Sequence, residues 1–175
     1  DCNSKGSCTE QICKQINSNC IFTSSANAGL SFAGDEFSNA ICFYFTNGLT
    51  KEGAAYMVGN LKQESGLRTT AVGDNGKAHG LAQWAGARWS NLQSWASKNN
   101  LNVNDFNTQL RYTLEEKGES EQLVDALKTD NVDNIKAAIK NYERYGIEGA
   151  RYSFGAQLLA NVNNGKYPGS KEQCL

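Results

Sequence analysis

The sequence predicts an α+β fold that is mainly α, with many helices and one small β-hairpin. Apolar residues recur at i, i+3 or i+4 spacing through most of the chain, as amphipathic helices require. One stretch, 68–83, lacks that period and is divided by the turn residues Asp74, Asn75 and Gly76. At 175 residues, 39% hydrophobic and 20% charged, the chain suits one domain with a continuous core, and no composition shift asks for a second.

Taken in order, residues 9–16 can form a short helix, and the Ser/Ala/Gly-rich run 23–34 reads as a loop. The expected organisation is a short cystine-rich segment, residues 1–27, packed on a body of residues 28–175. Asp35 is a good N-cap for a helix with Phe37, Ile41 and Tyr44 on one face, ending near Gly48. Thr50 caps the next helix, whose apolar stripe is Ala54, Met57, Val58 and Leu61 and whose end is marked by Gly66. Beyond the hairpin, amphipathic segments follow over 89–96, 106–114, 123–127, 132–142 and 151–159.

Charge and cysteine usage narrow the function classes. A formal net charge of -1 and a pI near 5.9 leave no basic footprint for nucleic acid. No apolar run approaches the ~20 residues that span a bilayer. A monomer is expected. The six cysteines stand at 2, 8, 13, 20, 42 and 174. With no C-x-x-C pair and only His79 to assist, zinc fits them poorly, whereas an even number spread to both ends fits disulfides. Cystines imply an oxidising compartment: the expectation is a mature chain, its signal peptide removed, that is secreted or held in a lysosomal or phagosomal lumen. Six cysteines allow 15 connectivities. Cys174 is expected to pair with one of Cys2, Cys8, Cys13, Cys20 or Cys42.

One position breaks the stripe of the second helix. Three residues beyond Leu61 and seven beyond Met57 stands Glu64, a carboxylate where a core residue is expected. It falls in the last turn, where the helix dipole and partial burial both disfavour an anion, a setting that suits a general acid. The plain alternative is a surface glutamate paired with Arg68 or Lys62. Asp74 in D-N-G is either a turn former or the partner of Glu64. A carboxylate on a hairpin folded back beside a helix-end carboxylate makes the pair used in glycoside hydrolysis, one protonating the leaving oxygen and the other supporting charge or water at the anomeric carbon. Glu36, Glu52, Glu115 and Glu116 are set aside, because each falls at a helix start or on a charged helix face.

These residues carry a family resemblance. The helix ending Q-E-S-G, the turn A-V-G-D-N-G and the following G-L-A-Q-W resemble the phage tail lysozyme family, peptidoglycan-cleaving domains of lysozyme-like fold. The segment YERYGIEGARYSFGAQLL, residues 142–159, is similar to that family's C-terminal helical region, with a tyrosine and glutamate before a turn and an arginine on the last helix. The resemblance spans roughly 35–162; the cystine-rich start and Cys174 depart from it and suggest a secreted form. It implies a lysozyme-like fold with the hairpin beside a helix bearing the catalytic Glu64. That acid would protonate the bond between N-acetylmuramic acid and N-acetylglucosamine. The hairpin acid falls on Asp74, although related lytic transglycosylases work with a single glutamate. Gln83 and Trp84 would line the sugar groove, with packing as the other reading of Trp84; Trp89 and Trp95 read as core. His79 is either a group beside Asp74 or a structural histidine, and Tyr145 follows from the family pattern alone.

The implied activity is that of a muramidase acting on peptidoglycan, without cofactor or metal. A lytic transglycosylase and a non-catalytic glycan-binding or virion module of the same fold remain open alternatives. An acidic optimum, around pH 4 to 6, is expected from the low pI and the role assigned to Glu64.

Overall fold

The computed structural model of the protein describes residues 35–146 and 148–175. The expected helix at 9–16, the loop at 23–34, the segment 1–27 and Cys2, Cys8, Cys13 and Cys20 lie outside the described residues. The described chain runs α1 (Glu36–Thr46), α2 (Lys51–Ser65), β1 (Val72–Gly73), β2 (Ala78–His79), β3 (Trp84–Ala85), α3 (Ala87–Lys98), α4 (Phe106–Glu115), α5 (Glu121–Leu127), α6 (Val132–Glu143) and α7 (Arg151–Asn163). This is the mainly helical α+β architecture expected.

The caps predicted from sequence are in place. Asp35 accepts from the Ser38 amide and Thr50 from the Gly53 amide, each satisfying an amide that a helix start leaves unpaired. Gly66 closes α2 in the left-handed region, at φ 64°. The hairpin is larger than expected: β1 pairs antiparallel with β2, which pairs antiparallel with β3, so that His79 lies between Val72 and Trp84. The added strand arises because the chain turns again at 80–83, where the Gln83 amide donates to the Gly80 carbonyl.

Helix α2 is the centre of the domain. Its predicted stripe is buried, and so is the opposite face, through Gly53, Ala55, Tyr56, Gly59 and Asn60. A helix buried nearly all round must be narrow somewhere, and α2 is narrow where α7 crosses it. A Cβ on Gly59 would stand 2.4 Å from the backbone nitrogen of Gly155, and one on Gly155 would stand 2.6 Å from the Tyr56 ring. Two glycines thus let the helices approach backbone to backbone, carrying the first turn of α7 against the last turns of α2.

The end of the chain is tied to α1 by a disulfide between Cys42 and Cys174, 132 residues apart in sequence with Cα atoms 5.3 Å apart. Both half-cystines are fully buried. The expected pairing of Cys174 is thereby resolved to Cys42. Closing so long a loop constrains the unfolded chain strongly; the double variant Cys42→Ser, Cys174→Ser should lose roughly 2 to 5 kcal/mol of unfolding free energy, measured by urea denaturation.

Candidate active site

Glu64 stands in the last turn of α2, and the fold meets it with a cation. Arg151, the first residue of α7, donates from Nη2 to Oε1 of Glu64 at 2.5 Å. Each charge sits at the unfavourable end of its own helix, an anion at a C-terminus and a cation at an N-terminus, so each compensates the other. The Arg151 side chain is 5% exposed and that of Glu64 18%, so the carboxylate is the part of the pair that reaches solvent. Among the described residues, Oε2 of Glu64 has no hydrogen-bond partner.

Further contacts hold the guanidinium. Its Nε donates to Oδ1 of Asn60 at 3.1 Å, its Nη1 donates to the Glu148 carbonyl at 2.6 Å, and its carbon lies 3.6 Å from the centre of the Tyr145 ring. The Tyr145 hydroxyl meets that of Tyr152, which in turn bonds the Lys136 carbonyl on α6. Asn60, one turn before Glu64 and fully buried, extends the network by donating from Nδ2 to Oε1 of Glu143 at 2.6 Å. Glu143 is the last residue of α6. Burial first, and then the charge of Glu64, pushes its carboxyl up to about 8, although the Asn60 bond and the charges of Arg88 and Arg151 act the other way. The site therefore joins an ion-paired carboxylate to a second carboxyl that burial and the charge of Glu64 bias toward its neutral form.

The hairpin presents Asp74 at its tip. Asp74 and Asn75 both adopt positive φ, 47° and 54°, which Asp and Asn tolerate better than most residues. Asp74 is exposed, and among the described residues its carboxylate makes no hydrogen bond or ion pair.

The phage tail lysozyme model matches residues 38–161, which include Glu64, Asp74, Glu143 and Arg151. The chain belongs to the phage tail lysozyme family. Membership assigns it a lysozyme-like, peptidoglycan-cleaving type. A search of curated proteins finds no match.

Within this phage tail lysozyme domain the other predicted residues take varied places. Gln83 is half-buried and spends its amide inside the sheet, donating to the carbonyls of Gly80 at 3.0 Å and Ala71 at 3.5 Å. Trp84 is fully buried and has no ring face open to a sugar; its Nε1 donates to Glu116 and Tyr142. Packing is therefore the role the structure gives it. His79 stacks on Trp89, with ring centres 4.9 Å apart. Trp89 and Trp95 are partly buried at the edge of the core. Tyr145 lies under Arg151, as described above.

Two sequence readings are corrected. Neither Arg68 nor Lys62 partners Glu64: Arg68 Nε donates to the Ser65 carbonyl, and the Lys62 ammonium lies over the rings of Phe37 and Phe154. Glu116 is not on a charged face. It turns inward at the end of α4, is 2% exposed, and takes both Nε and Nη2 of Arg88 at 2.7 Å beside the hydroxyl of Tyr142. Neither Asn60 nor Arg88 was singled out from the sequence, Glu116 was set aside there, and Glu143 and Arg151 followed only from the family pattern. A polar residue at buried helical spacing, Asn60 four before Glu64, was the available signal.

The raised Glu143 carboxyl makes stability pH-dependent. Between the ordinary value of 4.5 and about 8 the native state binds more protons than the unfolded chain. Its unfolding free energy must then fall as pH rises through that window, with the full contribution present below it. Denaturant titrations at both ends of the window should show a smaller loss in Glu143→Gln than in the wild type.

Proposed function

We propose that this protein is a muramidase, hydrolysing the β-1,4 bond between N-acetylmuramic acid and N-acetylglucosamine in bacterial peptidoglycan. The observation that carries the reading is Glu64, the solvent-reaching member of an otherwise buried ion pair at the end of the central helix. Arg151 binds Oε1 and leaves Oε2 for the proton. As that proton passes to the glycosidic oxygen, the growing carboxylate charge is met by a guanidinium already in place, with no reorganisation required. Asp74, exposed and without a partner among the described residues, is the group for the opposite side of the bond, where it directs a water to the anomeric carbon. The cystine and the expected acidic optimum suit secretion or a digestive lumen.

Glu64→Gln should fold and bind insoluble peptidoglycan while turnover falls by roughly 10²-fold to 10⁴-fold, followed as clearing of a bacterial suspension. Binding by the wild type without clearing would instead identify a glycan-binding module. Released fragments with reducing ends support hydrolysis; 1,6-anhydro ends would make the enzyme a lytic transglycosylase.

Asp74→Asn tests the second acid. Asparagine keeps the positive-φ turn, so the variant should melt like the wild type while hydrolysis drops by roughly 10²-fold or more. Full activity with unchanged product anomers would leave Glu64 working alone.

A further inference from the structure

We propose that Glu143 is a positioning residue of this site: through Asn60 it holds the guanidinium of Arg151 on Glu64. The inference rests on reading Glu64 as the reacting acid. Arginine offers only donors, so the buried Asn60 must turn Oδ1 toward Arg151 Nε, which leaves its Nδ2 facing the other way. The acceptor that Nδ2 meets is Oε1 of Glu143. Without that acceptor, the orientation that Arg151 requires would leave a buried amide N–H unpaired, and Asn60 would be drawn away from the guanidinium to satisfy it. Glu143 thereby stabilises the orientation in which Arg151 is held at Nε by Asn60 and at Nη2 by Glu64.

The protonation state of Glu143 decides whether this hold lasts. Among the described residues, the charged or titratable groups close enough to act on it are Glu64 on α2, Arg151 on α7, Arg88 on α3, Tyr44 on α1 and its neighbour Tyr142. Burial pushes both tyrosine hydroxyls above their ordinary value, so they stay neutral. Arg88 is already engaged by both oxygens of Glu116. While Glu143 is neutral, it does not draw on the guanidinium that Glu64 binds. Once Glu143 ionises, two carboxylates compete for one guanidinium, and the arrangement at Glu64 is weakened. A group that only filled space would not produce this pH response.

The test follows the Nε–H signal of Arg151 by nitrogen-15 NMR in the wild type, Glu143→Gln and Glu143→Ala, from about pH 5 to 9 around the carboxyl's value. In the wild type the signal should be protected from exchange and should change as pH rises through about 8. In Glu143→Gln, which keeps an acceptor for Asn60, protection should persist and the pH-dependent change should vanish. In Glu143→Ala protection should be lost at every pH. An unchanged signal in the alanine variant, or an unchanged transition in the glutamine variant, overturns the proposal; should the alanine variant not fold, the glutamine variant decides. In parallel, kcat on peptidoglycan should fall by about 10²-fold in Glu143→Ala and be largely rescued in Glu143→Gln, whose alkaline limb moves up. If the wild type leaves peptidoglycan intact, the reading of Glu64 fails, while the Arg151 signal still decides whether Glu143 positions the guanidinium.

Discussion

The buried ion pair between Arg151 and Glu64 sets the conditions that the rest of the domain meets. A guanidinium removed from water at a helix N-terminus has no natural complement there, and removing one member of such a pair leaves an uncompensated charge, at a cost of roughly 3 to 5 kcal/mol. The pair forms only if α7 approaches α2 within side-chain reach of its last turn. The Gly59 and Gly155 crossing gives that approach, and neither position has room for a Cβ without a shift of backbone or ring. Close helix packing and the charge arrangement are one requirement met at two points along the same pair of helices.

A second buried network stands next to the first. Glu116 binds Arg88, Trp84 and Tyr142, joining the end of α4, the start of α3, β3 and α6. Arg88 also donates to the Tyr142 carbonyl, one residue from Glu143, so the two networks share the last turn of α6. The three strands are two residues each, too short for sheet hydrogen bonds alone to position. They are pinned by side chains instead. Gln109, fully buried, accepts from the Leu81 amide at 2.8 Å and donates to the carbonyls of Thr69 and Val103 at 3.0 and 2.8 Å, fixing the hairpin's base to α4.

What was legible in the sequence was whatever local chemistry decides. Asp35, Thr50 and Gly66 cap their helices for reasons contained within a few residues, and the periodic segments from residue 36 onward are helices at nearly the predicted bounds. Glu64 was legible because a period makes an exception visible. The third strand was not, because two residues in a short turn-rich stretch carry no periodic signal, and neither were Glu116 and Asn60, because each depends on a partner far along the chain: Glu116 on Arg88, and Asn60 on both Glu143 and Arg151, more than 80 residues away. Trp84 shows the same boundary. A tryptophan beside turn residues fits a sugar groove or a core equally well until its indole N–H is seen to meet Glu116.

The two acids of the candidate site differ in support, and the difference fits their proposed work. Glu64 is held on the most buried helix by a cation that is itself fixed at Asn60, Glu148 and Tyr145, so little is left to reorganise when a proton moves. Asp74 sits on an exposed turn with no partner for its carboxylate among the described residues. A group that delivers a proton to one oxygen gains from rigidity, since misplacement by about 1 Å can cost 10²-fold in rate. A group that directs a water gains from access to solvent, because the water must be replaced at each turnover. A rigid buried mount for one acid and an open turn for the other thus fit the division of labour proposed for Glu64 and Asp74.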